Sequence, residues 1–292
     1  MKHAPLWKRH AGEVAWPTLG LITAIVLGEL VVWAAVLGEA ISLTLASVLC
    51  TCLAYLAFTV GHEAVHGNIA GRDKRLRGLE AASGHVAAFF LLAPYPAFRV
   101  LHLQHHAHVN EGDSDPDHWV ASASPIGVLG RCATIMPYYY YTILFGPSSR
   151  TRSGQRVRLQ SILTLAGFAA LAVGASIAGF GTLVLALWVG PALVASAFLA
   201  FAFDWLPHHP HTTTERYHDT RVILGPGLPL LTMWQSYHLV HHLYPRVPFY
   251  RYGTCFRDIR PELEDEGSVI EGWEPGSELP PVLSTPWSDP AS

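Results

Sequence analysis

Charged side chains are scarce in this sequence. Only 14% of its 292 residues are Asp, Glu, Lys or Arg, and half are hydrophobic. Soluble domains usually carry about a quarter charged residues, so the deficit predicts a membrane protein, as does the mean hydropathy of +0.27. The net charge is only −3 and no basic stripe is present, which argues against a nucleic-acid partner.

Cysteine motifs are also missing. The four cysteines, at positions 50, 52, 132 and 255, form neither a disulfide framework nor a CxxC metal pair. The sequence has no CxxCH haem-attachment motif, no four-cysteine spacing for an iron–sulfur cluster and no GxGxxG dinucleotide site. If the protein carries out redox chemistry, its electrons therefore come from a separate donor.

Four apolar runs are long enough to cross a hydrocarbon core of about 30 Å at a rise of about 1.5 Å per residue. Short turns join them in pairs, which predicts an all-α integral membrane protein with four transmembrane helices in two hairpins. A shorter apolar stretch, 84–98, contains two prolines and is expected to dip into the interface, and the tyrosines at 138–141 favour an interfacial helix. The four runs cover about residues 16–37, 41–60, 159–178 and 181–203.

The distribution of positive charge predicts the orientation. All 19 Lys and Arg residues lie outside the four runs and outside the two hairpin turns. The positive-inside rule then places both termini, the middle segment and the segment after the fourth span on the cytoplasmic side. We expect a membrane-embedded domain over residues 1–260 with a cytoplasmic helical cap. The acidic, proline-rich tail over residues 261–292 is predicted to be disordered.

Histidine is the residue in excess. Of 17 histidines, 15 fall between His62 and His242. An HxxxH pair and two HxxHH boxes place their imidazoles on one helical face, because residues three and four apart are neighbours on a helix. By the predicted topology, every group lies on the cytoplasmic side. The groups are His62 and His66; His102, His105 and His106; His208, His209 and His211; and His238, His241 and His242.

So many imidazoles predict two metal ions, because one catalytic zinc usually takes three protein ligands. Imidazole suits iron, zinc, copper and nickel alike, so these residues alone do not select iron. The string His62-Glu-Ala-Val-His66 also fits the HExxH motif, which offers the alternative of a zinc-dependent intramembrane hydrolase. That alternative leaves both HxxHH boxes unexplained. His3, His10, His85, His118 and His218 stand apart and are expected to be interfacial or hydrogen-bonded residues.

At these boxes the sequence resembles the membrane fatty-acid desaturase and hydroxylase superfamily. The longer strings Arg99-Val-Leu-His-Leu-Gln-His-His-Ala-His-Val-Asn110, Asp115-Pro-Asp-His-Trp119, Asp204-Trp-Leu-Pro-His208 and Gln235-Ser-Tyr-His-Leu-Val-His-His-Leu-Tyr-Pro245 are similar to the cyanobacterial-type β-carotene hydroxylase branch. The resemblance covers roughly residues 55–255. It implies a di-iron oxygenase that uses O2 to hydroxylate C3 of a β-ionone ring, converting β-carotene to β-cryptoxanthin and zeaxanthin. Fatty acyl desaturation or hydroxylation is the alternative within the same chemistry.

The resemblance also implies roles for individual residues. Glu63, where the branch has Asp, and Asp204 are candidates to support the ligand imidazoles without binding metal themselves. His108 departs from the branch pattern, and His209 and His211 lie outside its core set. The implied iron ligands are His62, His66, His102, His105, His106, His208, His238, His241 and His242.

The expected partners are a carotenoid or lipid substrate in the membrane and a ferredoxin-like electron donor. The stretch 84–98 and the helix near Tyr138 to Tyr141 are hypothesised to line the substrate's entry path. Four arginines between the middle segment and the third span offer a docking surface for an acidic donor, although they are explained more simply by the positive-inside rule. They are Arg150, Arg152, Arg156 and Arg158.

Overall fold

The computed structural model describes residues 5–273, and its first two long helices form an apolar pair. Helix α1 spans Trp16–Leu37 and α2 spans Leu43–His66. Ser42 caps α2, since its side chain accepts a hydrogen bond from the backbone N–H of Leu45. Gly67, with φ 71°, ends the helix in the left-handed conformation that glycine adopts without strain. Helix α2 is therefore longer than the predicted span, and its last two turns carry His62 and His66.

The second apolar region is one helical run, Arg152–Trp205, that folds back on itself. Gly179, with φ 92°, interrupts it. The rings of Phe168 and Trp188 lie 5.7 Å apart, whereas a straight helix would separate residues 20 positions apart by about 30 Å. The run comprises α7 (Arg152–Ala175), α8 (Gly181–Val184) and α9 (Gly190–Leu199), linked and extended by the π-helical segments Ser176–Phe180, Leu185–Val189 and Ala200–Trp205.

Long apolar helices confirm the predicted helical membrane protein. Within residues 5–273, three helices are long and apolar enough to span a membrane, or four if a pair of shorter helices bent by 96° forms one broken span. Large side chains such as Leu30 and Leu163 are more than 60% exposed on their surfaces, as expected for helices that face lipid. The exact number of spans and the side of the membrane on which the cap lies stay predictions.

The bent pair consists of α3 (Arg77–Phe90) and α4 (Tyr95–Ala107), and it contains the apolar stretch 84–98. Pro94 is the N-cap residue of α4, and Pro96 lies in its first turn, where a missing backbone N–H costs no helical hydrogen bond. Gly84 of α3 lies against the ring of Tyr95, so closely that a Cβ at this glycine would fall 2.5 Å from ring carbons. The close approach of these two residues sets the angle at which α4 leaves α3.

Replacement of Gly84 by alanine is therefore expected to destabilise the protein. The added methyl group overlaps the Tyr95 ring, and overpacking of this kind costs about 1–3 kcal/mol. Gly78→Ala on the same helix is the matched control, because nothing lies within 4 Å of its Cβ position. Thermal unfolding in detergent should show a lower midpoint for Gly84→Ala and an equal or higher one for Gly78→Ala. Equal midpoints for the two variants would contradict the packing argument.

The cap over the histidines is built from short helices and one small parallel sheet. Strand β1 (Val222–Leu224) pairs with β2 (Ile270–Gly272), and Val222 lies opposite Ile270. The remaining α-helices of residues 5–273 are α5 (Pro125–Ala133), α6 (Ile135–Phe145), α10 (Leu228–Leu231), α11 (His238–Leu243) and α12 (Tyr252–Asp265). Shorter 3₁₀ turns cover Leu6–His10, Lys74–Leu76, Pro116–Val120, Pro147–Arg150, Gln235–Tyr237 and Phe249–Arg251.

Helix α12 corrects the predicted boundary at residue 261. It continues through Pro261 to Asp265, and β2 follows. Its apolar side, which includes Phe256, Ile259 and Leu263, packs into the core of the cap, while most of its acidic residues face solvent. An amphipathic helix was therefore mistaken for the start of an acidic tail. The rest of the predicted tail, residues 274–292, lies outside the described residues.

Candidate metal centre

The structure gathers all nine of the predicted ligand histidines into two adjacent groups. The five-histidine cluster contains His62, His66, His102, His106 and His241, and the four-histidine cluster contains His105, His208, His238 and His242. Within each cluster, one nitrogen of each ring lies within 4.8 Å of those of the others. Three helices and the segment after the Arg152–Trp205 run supply these rings.

The five-histidine cluster joins the end of α2 to α4 and α11. The Nε2 atoms of His62 and His241 are 2.9 Å apart, and those of His66 and His102 are 2.8 Å apart. His106 completes the group, with its Nε2 2.8 Å from that of His241. Four of these five side chains are buried, so the nitrogens face one another in a site with little water.

The four-histidine cluster draws on the other side of α4, on α11 and on His208. The Nε2 atoms of His208 and His238 are 3.0 Å apart, and those of His238 and His242 are 3.1 Å apart. His105 approaches His242 at 3.3 Å through the same atoms. In each HxxHH box the outer pair thus serves one cluster and the middle histidine serves the other.

The hydrogen bonds around His208 test whether a cation fits between the rings. Its Nδ1 lies 3.2 Å from the backbone carbonyl oxygen of Asp219. Because a carbonyl oxygen can only accept a hydrogen bond, Nδ1 holds the proton and Nε2 presents a lone pair. His238 directs its Nδ1 towards Oε1 of Gln235 in the same way. Burial lowers the pKa of both imidazoles well below the usual value, so both rings are neutral. Two lone pairs 3.0 Å apart repel unless a cation lies between them.

The spacing of the nitrogens also suits a metal. With metal–nitrogen bonds of about 2.1 Å at right angles, neighbouring ligand atoms lie about 3 Å apart. The observed contacts between Nε2 atoms, 2.8–3.3 Å, bracket this value. The donor set therefore fits two nitrogen-ligated metal ions, one for each cluster.

Carboxylates and a phenol orient the rings from behind. Asp115 Oδ1 lies 2.9 Å from Nδ1 of His105, and the same carboxylate accepts hydrogen bonds from the backbone N–H groups of Asn110 and Asp117. The Tyr252 hydroxyl lies 2.9 Å from Nδ1 of His241. Partners of this kind fix the ring orientation and the tautomer of metal-binding histidines.

Within residues 5–273, neither Glu63 nor Asp204 directly contacts a ligand ring. Glu63 accepts hydrogen bonds from the Asn68 side chain and from the Phe249 backbone, because a helix turns about 100° per residue and directs it away from His62. Its carboxylate contacts no ligand histidine within residues 5–273. Asp204, at the end of the Arg152–Trp205 run, approaches Tyr139 rather than His208.

Sequence reasoning missed the roles of Asp115, Asp117 and Tyr139. Asp117 Oδ2 lies 3.4 Å from Nδ1 of His105, and the Tyr139 hydroxyl donates to its other oxygen at 2.5 Å. Burial raises the pKa of Asp117 to about 6, and the negative charge of Asp115 adds to this shift. The string Asp115-Pro-Asp-His was a usable signal, since two acids follow an HxxHH box by about ten residues.

The remaining histidines lie outside both clusters. His108 pairs with exposed Glu111, and His211 packs against His118 at 5.7 Å between ring centroids. His209 packs against Trp205, with 4.9 Å between the ring centroids. His10 pairs with Asp258 and His85 packs on Tyr95, as expected for isolated histidines, whereas His3 is not among the described residues.

An apolar cavity of about 920 Å³, its open mouth included, ends at the clusters. His62, His102, His105 and His238 line its inner end. Part of the predicted entry path contributes to its walls. The stretch 84–98 supplies Leu91, Ala93, Pro94, Ala97 and Phe98, and α6 supplies Tyr139 and Tyr140. Two of the predicted tyrosines do not line the cavity: Tyr138 stacks on Trp119, and Tyr141 is 62% exposed.

Comparison with known proteins agrees with this arrangement. The family model described as fatty acid desaturase matches residues 40–272, which is most of the chain. This chain belongs to the fatty acid desaturase family. Members of the family generally use two iron ions with O2, and the two histidine clusters fit that chemistry. The protein is therefore an oxygenase rather than a hydrolase.

Two relatives carry the name beta-carotene ketolase. The protein from Paracoccus sp. (strain PC1) is 31% identical over 245 residues, covering 80% of this chain and 89% of the relative. The protein from Paracoccus sp. (strain N81106 / MBIC 01143) is 28% identical over 200 residues, covering 66% and 71%. This member of the fatty acid desaturase family is thus similar to enzymes that modify carotenoids, although neither relative is named a hydroxylase.

Proposed function

We propose that this oxygenase hydroxylates the β-ionone ring of a carotenoid. The observation that carries the proposal is the apolar cavity that ends at both histidine clusters. Its walls suit a hydrocarbon ring, and its inner end presents such a ring to the metal site. The similarity to two beta-carotene ketolases supports a carotenoid as the substrate.

The proposed cofactor is a pair of iron ions, one in each cluster. The nine clustered histidines are its proposed ligands, and the iron pair supplies reduction of O2 and abstraction of hydrogen from an unactivated C–H bond. Asp115 and Tyr252 hold His105 and His241 in place. The cavity walls exclude water and fix the distance from the ring carbon to the site, to which oxygenation is sensitive on a scale of about 1 Å.

Each round of the proposed reaction converts one C–H bond to C–OH. It consumes O2, two electrons and two protons, and releases one water. The electrons come from a separate electron-transfer protein of the ferredoxin type. We place the protein in the membrane with four spans, and with its termini and metal site on the cytoplasmic side, because the distribution of Lys and Arg favours that orientation.

Two products are possible from this chemistry. One round at C3 of each ring gives β-cryptoxanthin and then zeaxanthin, as the sequence strings around the histidine boxes predict. Two rounds at one carbon give a geminal diol, which loses water to form a ketone. The names of both relatives favour this second product. Desaturation or hydroxylation of a fatty acyl chain remains the third candidate, and the family match supports it.

Pigment analysis distinguishes the three candidates. Expression in a bacterium that makes β-carotene is expected to convert most of the pigment to oxygenated carotenoids. Hydroxylated rings support the first candidate and keto rings the second, and the two are separated by chromatography and mass spectrometry. A His105→Ala variant at equal protein level is the control and should leave β-carotene unchanged. Unmodified β-carotene with altered fatty acids from the wild type would contradict the carotenoid proposal.

A further inference from the structure

Besides the histidines, six polar side chains line this otherwise apolar cavity. Asp117, Tyr140 and Ser196 are three of them, and the other three are Asp204, Tyr139 and Gln235. Asp204 comes from the end of the Arg152–Trp205 run, Tyr139 from α6, and Gln235 from the turn before α11. The histidine clusters adjoin all three, since His105 and His238 line the same end of the cavity. A hydrocarbon ring has no group that would hydrogen-bond to any of them.

Two of these side chains have unused hydrogen-bonding capacity. Tyr139 gives its proton to Asp117 at 2.5 Å, and its contact with Oδ2 of Asp204 is long, at 3.5 Å. The other oxygen of Asp204 makes no hydrogen bond within residues 5–273. Gln235 is only 3% exposed, and its Nε2 is a buried donor without a partner among those residues. A buried polar group in this state destabilises the folded protein unless a ligand or water satisfies it.

Together the two groups match an alcohol. A carboxyl oxygen accepts the proton of a hydroxyl group, and an amide N–H donates to the hydroxyl oxygen. Another polar group of the wall is already satisfied, because the Tyr140 hydroxyl donates to the carbonyl oxygen of Leu92 at 2.7 Å. The unsatisfied acceptor of Asp204 and the unsatisfied donor of Gln235 are therefore specific to this part of the cavity and not general to its wall.

We propose that Asp204 and Gln235 form a subsite that binds the hydroxyl group of a ring that has already been oxygenated once. The inference rests on the proposed ring oxygenation, whose first product carries such a hydroxyl group beside the clusters. The subsite holds that alcohol in the cavity instead of releasing it. Its occupancy thus determines whether a second oxygenation of the same ring follows.

Binding of single-ring probes tests the subsite without turnover. The purified full-length protein is titrated in detergent with β-ionone and with 3-hydroxy-β-ionone. The wild type should bind the hydroxylated probe about tenfold more tightly, the effect of one well-formed hydrogen bond. Asp204→Ala should remove this preference, and Asp204→Asn should restore part of it because its amide oxygen also accepts. Equal affinities in the wild type, or a preference that survives Asp204→Ala, would overturn the proposal.

Two further variants separate the subsite from general damage to the cavity. Tyr140→Phe removes a phenol from the same wall, and we expect it to change the affinities for both probes by the same factor. Gln235→Glu keeps an oxygen towards His238 but replaces the donor with an acceptor, and should lower affinity for the hydroxylated probe selectively. If Tyr140→Phe abolished the preference as fully as Asp204→Ala, the subsite would be rejected.

Pigment analysis of the same variants keeps the two proposals distinguishable. If the wild type oxygenates no carotenoid, the proposed function fails, yet the probe titration still decides whether the hydroxyl subsite exists. If it does oxygenate β-carotene, Asp204→Ala should shift the products towards those of a single oxygenation, by about tenfold in the ratio of singly to doubly oxygenated rings. An unchanged ratio would contradict a role for the subsite in turnover.

Discussion

Replacement of His241 by alanine is expected to lower oxygenase activity by at least about a thousandfold, because a bound metal contributes several kcal/mol to the transition state. This ring is fully buried, and its Nε2 lies 2.9 Å from that of His62 and 2.8 Å from that of His106. No other side chain of the five-histidine cluster makes contacts this short with the Nε2 atoms of both His62 and His106. Alanine at this position leaves a gap in the proposed ligand set and removes the contacts of α11 with His62 of α2 and His106 of α4. The measurement is oxygenated pigment per unit of protein, with the iron content of the purified variant.

Two control variants show whether that loss comes from ligation. Tyr252→Phe keeps His241 but removes the hydroxyl group at its Nδ1, and loss of such a supporting contact costs about 10–100-fold in metal affinity or activity. His209→Ala removes a histidine that packs against Trp205 outside both clusters and should keep nearly full activity. His241 is not a ligand if His241→Ala retains more than a tenth of the wild-type activity at normal iron content.

Helical spacing predicted that each HxxHH box presents its imidazoles together, and the structure confirms this. The division between clusters did not follow from spacing. In α4, His106 lies about 40° from His102 around the helix and His105 lies about 60° away on the opposite side. This small difference in direction places His105 and His106 in different clusters only because α11 and the end of α2 approach α4 on particular sides. Those approaches are long-range contacts, on which local periodicity carries no information.

The position of His208 shows the same limit. It belongs to no box, and only the family resemblance included it among the ligands. Its ring is held by the backbone carbonyl of Asp219, eleven residues further along the chain. Gln235 and Tyr252 likewise support ligands from loops and from a helix whose positions depend on the folded cap. A motif can identify a ligand, whereas its supporting contacts become visible only when the chain is folded.

Iron analysis is expected to give about two irons per chain in the wild type and about one in either of two matched variants. His66→Ala removes a ligand only from the five-histidine cluster, and His208→Ala removes one only from the four-histidine cluster. Because each cluster has its own ring nitrogens, loss of one ion should leave the other bound. Both variants should be inactive, since the reduction of O2 in the proposed reaction requires the pair.

Removal of the metals should also destabilise the fold. Without a cation, the Nε2 lone pairs within each cluster face one another at 2.8–3.3 Å. A ligand present at a thousand times its dissociation constant stabilises the folded state by about 4 kcal/mol, so chelation under reducing conditions should lower the unfolding temperature by about 10 °C. Added ferrous iron should restore both stability and activity, whereas zinc should restore stability alone because it has no redox chemistry. One tightly bound zinc per chain in an active preparation would rule out the di-iron proposal, since zinc cannot supply electrons to O2.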